Sequence, residues 1–181
     1  YYYAANELLE YYRTRVDVNN PNVNLINPTI SEKDQRIADQ ALEHRFYVKG
    51  FAESVDEVTK LETYYSFYDA SAKKIDWNAN EDKQKKEQEF RYQLHRHQWM
   101  LPQAKAYRIS KDEKYIQSWI EAYGSWIETF PYTPGTIFPP AGGSENDVDY
   151  QWKGLQVAER VLSQVDIMPY FIHSTNFTPE W

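Results

Sequence analysis

An all-α fold is predicted for this chain, and three observations predict it. Apolar residues recur at the 3.6-residue period over several long segments. Only 6 of the 181 residues are glycine, too few for the many tight turns of a β-sandwich. Strand-like character is confined to two short aromatic runs, Tyr64–Tyr68 and Ile75–Trp77. A chain of 181 residues is long enough for one domain, taken here as residues 1–181, and too short for two. About five to six helices fit this length, arranged as antiparallel hairpins.

The first helix is expected over residues 4–15, ended by the Asn- and Pro-rich run 19–28. Ser31 with Asp34 three residues later resembles a capping box. It opens a helix through about Phe46, with Ile37, Ala38, Ala41 and Leu42 on one face. Tyr64–Tyr68 reads as a strand or as an aromatic plug, and Ile75–Trp77 as a short extended piece. The charged run 81–89 starts a long helix reaching about Arg108; Pro102 lacks an N–H and should kink or split it near Gln98. Ser110 and Glu113 form a second capping box. The helix after it is the clearest in the chain, with Ile116, Trp119, Ile120, Tyr123, Trp126, Ile127 and Phe130 in helical period until Pro131 closes it. The short link between these two helices predicts an αα-hairpin. Residues 131–149 read as a long exposed loop. A last helix is expected from about Tyr150 to Met168, stopped by Pro169, with Leu155, Ala158, Leu162 and Val165 inward.

Composition narrows the function classes. Hydrophobic residues make up 41% and charged ones 26%, a folded rather than a disordered balance. No stretch approaches ~20 uninterrupted apolar residues, so no membrane span is expected. Cysteine is absent, which removes disulfide scaffolds, Cys-zinc sites and thiol nucleophiles. Aromatic side chains are abundant, with 6 Trp, 16 Tyr and 8 Phe. The net charge of −7 argues against polyanionic partners, yet residues 83–108 carry seven Lys/Arg against two acids. That segment is a local +5 on a remainder of −12, and it can attract an anion locally or simply be a solvated helix face. There is no Gly-rich phosphate loop, no Ser/His/Asp spacing and no nucleic-acid motif.

Two constellations stand out. On a helix, Phe90, Leu94, His97, Leu101 and Ala104 share the apolar stripe, which makes His97 a core histidine. His95 falls with Arg91, Gln98 and Lys105 on a polar face. The two histidines point about 160° apart and cannot chelate one metal, so no metal site and no cofactor are expected. A third face carries Tyr92, Arg96, Trp99 and Gln103 at i, i+4, i+7 and i+11. Aromatic rings beside a guanidinium and an amide suit a sugar: the ring stacks on pyranose C–H groups while Arg forks a carboxylate or sulfate. Trp152, Gln156 and Arg160 repeat the arrangement at i, i+4 and i+8. For both faces the competing reading is a helix–helix contact with the arginine in a structural ion pair.

Ordered motifs over residues 41–179 carry a family likeness. They are Ala41-Leu-Glu-His-Arg-Phe46, Ile75-Asp-Trp77, Phe90-Arg-Tyr-Gln-Leu-His-Arg-His-Gln-Trp99 and Asp112-Glu-Lys-Tyr115 with Trp119 and Trp126. Trp152-Lys-Gly-Leu-Gln-Val-Ala-Glu-Arg160 and Phe171-Ile-His-Ser-Thr-Asn-Phe-Thr-Pro179 complete the series. Together they resemble the N-terminal domain of the heparinase II/III family, nearest to its heparinase III-type heparan-sulfate lyases. Two departures stand out: Trp152-Lys-Gly-Leu-Gln156 replaces the usual Trp-Arg-Pro-Leu-Glu, and Pro102 is unexpected.

The resemblance implies an incomplete α/α toroid from an exported, periplasmic or secreted polysaccharide lyase. Such lyases cleave uronate-containing glycans by β-elimination. One group neutralises the uronate carboxylate, a base removes the C5 proton, and an acid protonates the leaving glycosidic oxygen. The family's carboxylate-neutralising Asn-His motif and catalytic Tyr lie downstream of the region matched, and this sequence has no Asn-His dipeptide. No catalytic residue is therefore carried over, and the 181-residue chain alone is expected to be inactive. The chain starts Tyr1-Tyr2-Tyr3 without Met and stops at Trp181, and both ends are expected to be cuts in a longer lyase. The implied partners are an acidic glycosaminoglycan and the remainder of its own polypeptide, namely the rest of the toroid and a C-terminal domain. The rival reading is a non-catalytic helical module that binds glycans or proteins.

Overall fold

The computed structural model describes residues 1–15, 25–48, 56, 58–134 and 150–181. Among them seven α-helices dominate: α1 (Tyr2–Arg13), α2 (Glu32–Leu42), α3 (Glu81–Lys86), α4 (Gln88–Arg96), α5 (Leu101–Ser110), α6 (Lys114–Thr129) and α7 (Gly154–Phe171). The all-α expectation is borne out. The helices outnumber those expected because the run 81–108 divides into three. Glu87 is extended between α3 and α4, and His97 takes a left-handed φ of 62° after α4. A 3-10 turn at Gln98–Met100 then leads into α5. Pro102 lies in the first turn of α5, where a missing N–H costs nothing, so the break falls ahead of the proline.

Ser31 caps α2 as expected, its hydroxyl accepting from the Asp34 N–H at 3.0 Å. The helix ends at Leu42 rather than Phe46, because His44 at φ 54° redirects the backbone into a strand. Arg45–Phe46 (β1) pairs antiparallel with Tyr65–Ser66 (β2), and Tyr68–Asp69 (β3) with Lys74–Ile75 (β4). The aromatic runs are therefore strand and plug together. Phe46 stacks on Trp99 at 4.2 Å and on Phe67 at 5.4 Å, with Trp77 completing the cluster. Arg36 ties α2 to this corner through a two-pronged bond to Glu62 at 2.9 and 3.0 Å.

Helices α5 and α6, joined by only Lys111–Glu113, form the expected hairpin. The Ser110–Glu113 capping box does not form. Ser110 stays in α5 and donates to the Ala106 carbonyl, while Asp112 accepts from the Lys114 N–H at 3.1 Å. Glu113 instead receives Ser174 Oγ and Asn176 Nδ2 from the C-terminal segment. Helix α6 buries Tyr115, Ile116, Trp119, Ala122 and Trp126; Ile127, expected inward, is exposed. Arg13 of α1 donates to the carbonyls of Ile172 and Phe177, clamping the N-terminal helix to the C-terminal segment.

Helix α7 reverses the expectation. It runs through Pro169 to Phe171 and buries Gln156, Arg160, Ser163, Gln164, Ile167, Tyr170 and Phe171. Leu155, Leu162 and Val165, expected inward, are 58%, 61% and 58% exposed, and Ala158 is exposed too. The reason is polar demand. The surface that α7 faces presents the buried Trp119 and His97, whose Nε1 and Nδ1 are met by Gln164 of α7, and the His95 carbonyl, met by Arg160. Of the loop expected over 131–149, residues 135–149 lie outside the described residues. No described helix is long and apolar enough to cross a membrane.

Candidate functional site

The seam between α4 and the start of α7 gathers three of the seven predicted residues, Tyr92, Arg96 and Gln156. Arg96 sits at the last position of α4, and its Nε donates to Gln156 Oε1 at 2.7 Å. Its Nη1 meets Glu89 Oε1 at 3.1 Å. One turn back, Tyr92 lies under the guanidinium, 5.9 Å from ring centre to Cζ. The Tyr92 hydroxyl accepts from Gln88 Nε2 at 2.6 Å and from Lys153 Nζ at 3.3 Å. Arg96 at the end of α4 and Lys153 just ahead of α7 thus approach one tyrosine ring, and Arg96 also meets Glu89. Tyr92, Arg96 and Lys153 are half-buried.

Beneath this seam Arg160 is 5% exposed. Its guanidinium is held between Trp126, 4.2 Å from the ring centre, and Trp152 at 5.1 Å. Nη1 donates to the carbonyls of His95 at 3.1 Å and Gln151 at 2.9 Å. No carboxylate pairs with it among the described residues. Burial pulls its pKa down to about 10, which still leaves it charged at neutral pH. Two fully buried imidazoles feel that charge. His95 accepts from Trp126 Nε1 at 3.1 Å and is pushed down to about 3 by burial first, then by Arg160 and Arg91. His97 lies 3.1 Å from Gln164 Nε2, whose Oε1 takes the Trp119 indole N–H. It too is held well below the usual histidine range, again by burial first and then Arg160. Both rings are neutral at pH 7.

The structure therefore splits the predicted set. Tyr92 and Arg96 of α4 meet Gln156 of α7, and Trp152 and Arg160 lie directly below. Trp99 and Gln103 are corrections. Trp99 is 2% exposed, with one face on Phe46 and its indole N–H given to the Leu94 carbonyl. Gln103 is fully buried and donates to Ser118 Oγ at 2.8 Å. The left-handed turn at His97 breaks the helical period after Arg96, so the expected i+7 and i+11 positions rotate into the core. His95 is a second correction: it leaves the expected polar face for the interior.

Sequence reasoning missed Lys153 and Glu89. The signal for Lys153 was its place next to Trp152, where the residue type departs from the family pattern. The basic run 83–108 is largely neutralised locally: Lys83 pairs with Glu87, Lys85 with Glu81, and Lys105 with Asp34 at 2.7 Å. At the α4–α7 seam Arg96 and Lys153 meet over Tyr92. No group of three His, Asp or Glu fit to hold a metal occurs among the described residues.

Comparison with known proteins places this geometry. The sequence model described as heparinase II/III N-terminus matches residues 1–181. A curated heparin-sulfate lyase of Bacteroides thetaiotaomicron is 50% identical over 182 residues, covering 100% of this chain and 23% of that protein. The heparin-sulfate lyase of Pedobacter heparinus is 30% identical, over 97% of this chain and 24% of its own length. A crystal structure of heparinase III superposes with a TM-score of 0.74 at 46% identity, covering 99% of this chain and 25% of that one. The chain thus spans about a quarter of the length of the relatives it matches.

Proposed function

This chain belongs to the heparinase II/III family, matching the family's N-terminal region, and on that premise we propose that it is the N-terminal helical quarter of a polysaccharide lyase. The substrate is a uronate-containing glycosaminoglycan of the heparan sulfate or heparin type, cleaved by β-elimination. The protein is periplasmic or secreted, because its substrate is extracellular. The helices form part of an incomplete α/α toroid, and the α4–α7 seam forms part of the glycan-facing wall.

The observation that carries this reading is 50% identity to a heparin-sulfate lyase along the whole chain. The seam supports it chemically. Arg96 and Lys153 offer charged donors at a half-buried surface, where forks to sulfate or carboxylate are strengthened by partial desolvation. Arg160 and the tryptophans around it hold that surface rigid from below. Proton abstraction and carboxylate neutralisation fall to residues elsewhere in the polypeptide, since both imidazoles here are buried and neutral.

The test is release of the unsaturated uronate chromophore from heparan sulfate, heparin, chondroitin sulfate and alginate. The full-length polypeptide should act on the first two, and the 181-residue chain should act on none. Absence of turnover by the full-length protein on every uronate glycan overturns the reading.

A further inference from the structure

A recess of about 280 Å³ lies between α6 and the β3–β4 hairpin, away from the α4–α7 seam. That volume is at the small end of ligand sites, which run to roughly 300–1,000 Å³. Its floor is apolar and fixed. Ile75 is buried, and the buried Trp77 donates its indole N–H to Ser125 Oγ at 3.1 Å. Because Ser125 Oγ accepts that bond, its own proton is left to donate. Thr129 has the opposite sense: its hydroxyl donates to the Ser125 carbonyl at 2.8 Å, leaving the oxygen to accept.

The two walls carry opposite charge. Lys73 and Lys74 stand on the hairpin, Glu121 and Glu128 on α6. Glu121 is held by His44 Nε2 at 3.0 Å, and that imidazole stacks on Tyr68 at 4.6 Å. Lys74 lies across the ladder from Asp69, whose Oδ1 is taken by Ser71 and Ala72. The turn so locked holds Lys73 at a left-handed φ of 51°, a conformation that a non-glycine residue keeps only when its surroundings impose it. Among the described residues Lys73, Lys74 and Glu128 form no hydrogen bond or ion pair, so the charged walls face each other without pairing.

We propose that this recess is a second glycan site, which takes one hexosamine–uronate unit whose amine is unsubstituted. The sugar ammonium meets Glu128 and Glu121, the uronate carboxylate meets Lys73 and Lys74, and Ser125 and Thr129 share a ring hydroxyl. The sugar class rests on the reading of the chain as part of a glycosaminoglycan lyase. The free amine follows from the walls themselves. An acetylated amine sets a neutral group, and a sulfated one an anion, against two carboxylates, which is how a site rejects the wrong ligand. Charge-assisted bonds at both ends of one small unit fix its direction as well as its identity.

The experiment uses the full-length polypeptide with 13C-labelled isoleucine methyl groups, the Ile75 δ1 resonance being assigned from Ile75→Val. A uronate–glucosamine disaccharide with a free amine should shift that resonance saturably. Its N-acetylated counterpart and a glutamyl-lysine dipeptide, which has both charges but no ring hydroxyls, should each bind at least fivefold more weakly. Glu128→Gln, and Lys73→Ala combined with Lys74→Ala, should each raise the Kd read at Ile75 at least fivefold. An unmoved Ile75 methyl, equal Kd values for the three ligands, or variants that titrate like the unmodified protein overturn the proposal. The readout involves no turnover. An active lyase whose Ile75 methyl stays still loses this site alone, and binding here by a protein without lyase activity counts against the proposed function alone.

Discussion

Helices α6 and α7 are close in length, 16 and 18 residues, and both carry an apolar stripe at helical period. In α6 the stripe points inward: Ile116 and Trp119 are fully buried, and Trp119 packs on Phe171 and Trp181 at 5.2 and 5.5 Å. In α7 the stripe points out, and glutamines and an arginine take the interior. The difference teaches that amphipathicity tells which two faces of a helix differ, not which face its neighbours cover. Apolar burial decides α6, at roughly 25 cal/mol per Å². For α7 the deciding term is the cost of leaving unpaired the buried groups that Gln156, Arg160 and Gln164 meet, about 1–3 kcal/mol for each such group.

The comparison is broken most severely by emptying the α6 side. Trp119→Ala should destabilise the protein by about 3–5 kcal/mol, read as a lower urea midpoint. A loss under about 1 kcal/mol would mean that the α6 stripe is not core. Next comes the polar interior of α7, probed by pH. His95 and His97 refuse protons when folded, while an unfolded histidine titrates near 6.5. Stability is therefore complete above about pH 6.5 and falls as the pH drops from there towards 3, by about 1.4 kcal/mol per unit for each histidine. His97→Gln should lessen that slope by one histidine's share. A flat profile between pH 6.5 and 5 refutes the neutral buried pair.

The two seam arginines separate fold from glycan. Arg160→Ala strands the His95 and Gln151 carbonyls and should cost about 2–3 kcal/mol. Arg96→Ala loses a bond to Gln156 and a solvent-screened contact to Glu89, about 1 kcal/mol. In the full-length protein it should raise KM several-fold with little change in melting temperature. Equal melting losses with unchanged KM would remove Arg96 from the glycan wall. The smallest effect is expected on the outward stripe of α7: Leu162→Ala should change the stability of the 181-residue chain by less than about 0.5 kcal/mol. A loss of about 2 kcal/mol or more, the order of a buried leucine, would show the stripe to be covered by residues 1–181 themselves.

Much of the fold was legible in local signals. The Ser31 cap, the α6 period, the hairpin at 111–113 and a break near Gln98 each depend on residues within a few positions of one another. The candidate site was half legible. Tyr92 and Arg96 lie one turn apart on a helix, and Trp152, Gln156 and Arg160 follow the same logic. Trp99 and Gln103 were misplaced because the period was carried through His97, where a left-handed residue resets it. Lys153 was not singled out because its meeting with Tyr92 spans 61 positions.

The sequence by itself determined that this chain is helical, aromatic-cored, free of cysteine and built on heparinase II/III motifs, since caps, periodicity and motif order are properties of neighbouring residues. Only the tertiary structure decided that Lys105 of the basic run pairs with Asp34 of α2, that both histidines are interior, and that α7 turns its polar side inward. Those outcomes depend on which groups converge from distant parts of the chain. Trp119, Trp126, His95 and His97 arrive from α6 and from α4 and its C-cap with nitrogens to be satisfied; Gln164 meets Trp119 and His97, while Trp126 and His95 bond to each other. A helical wheel drawn for α7 alone contains none of those partners.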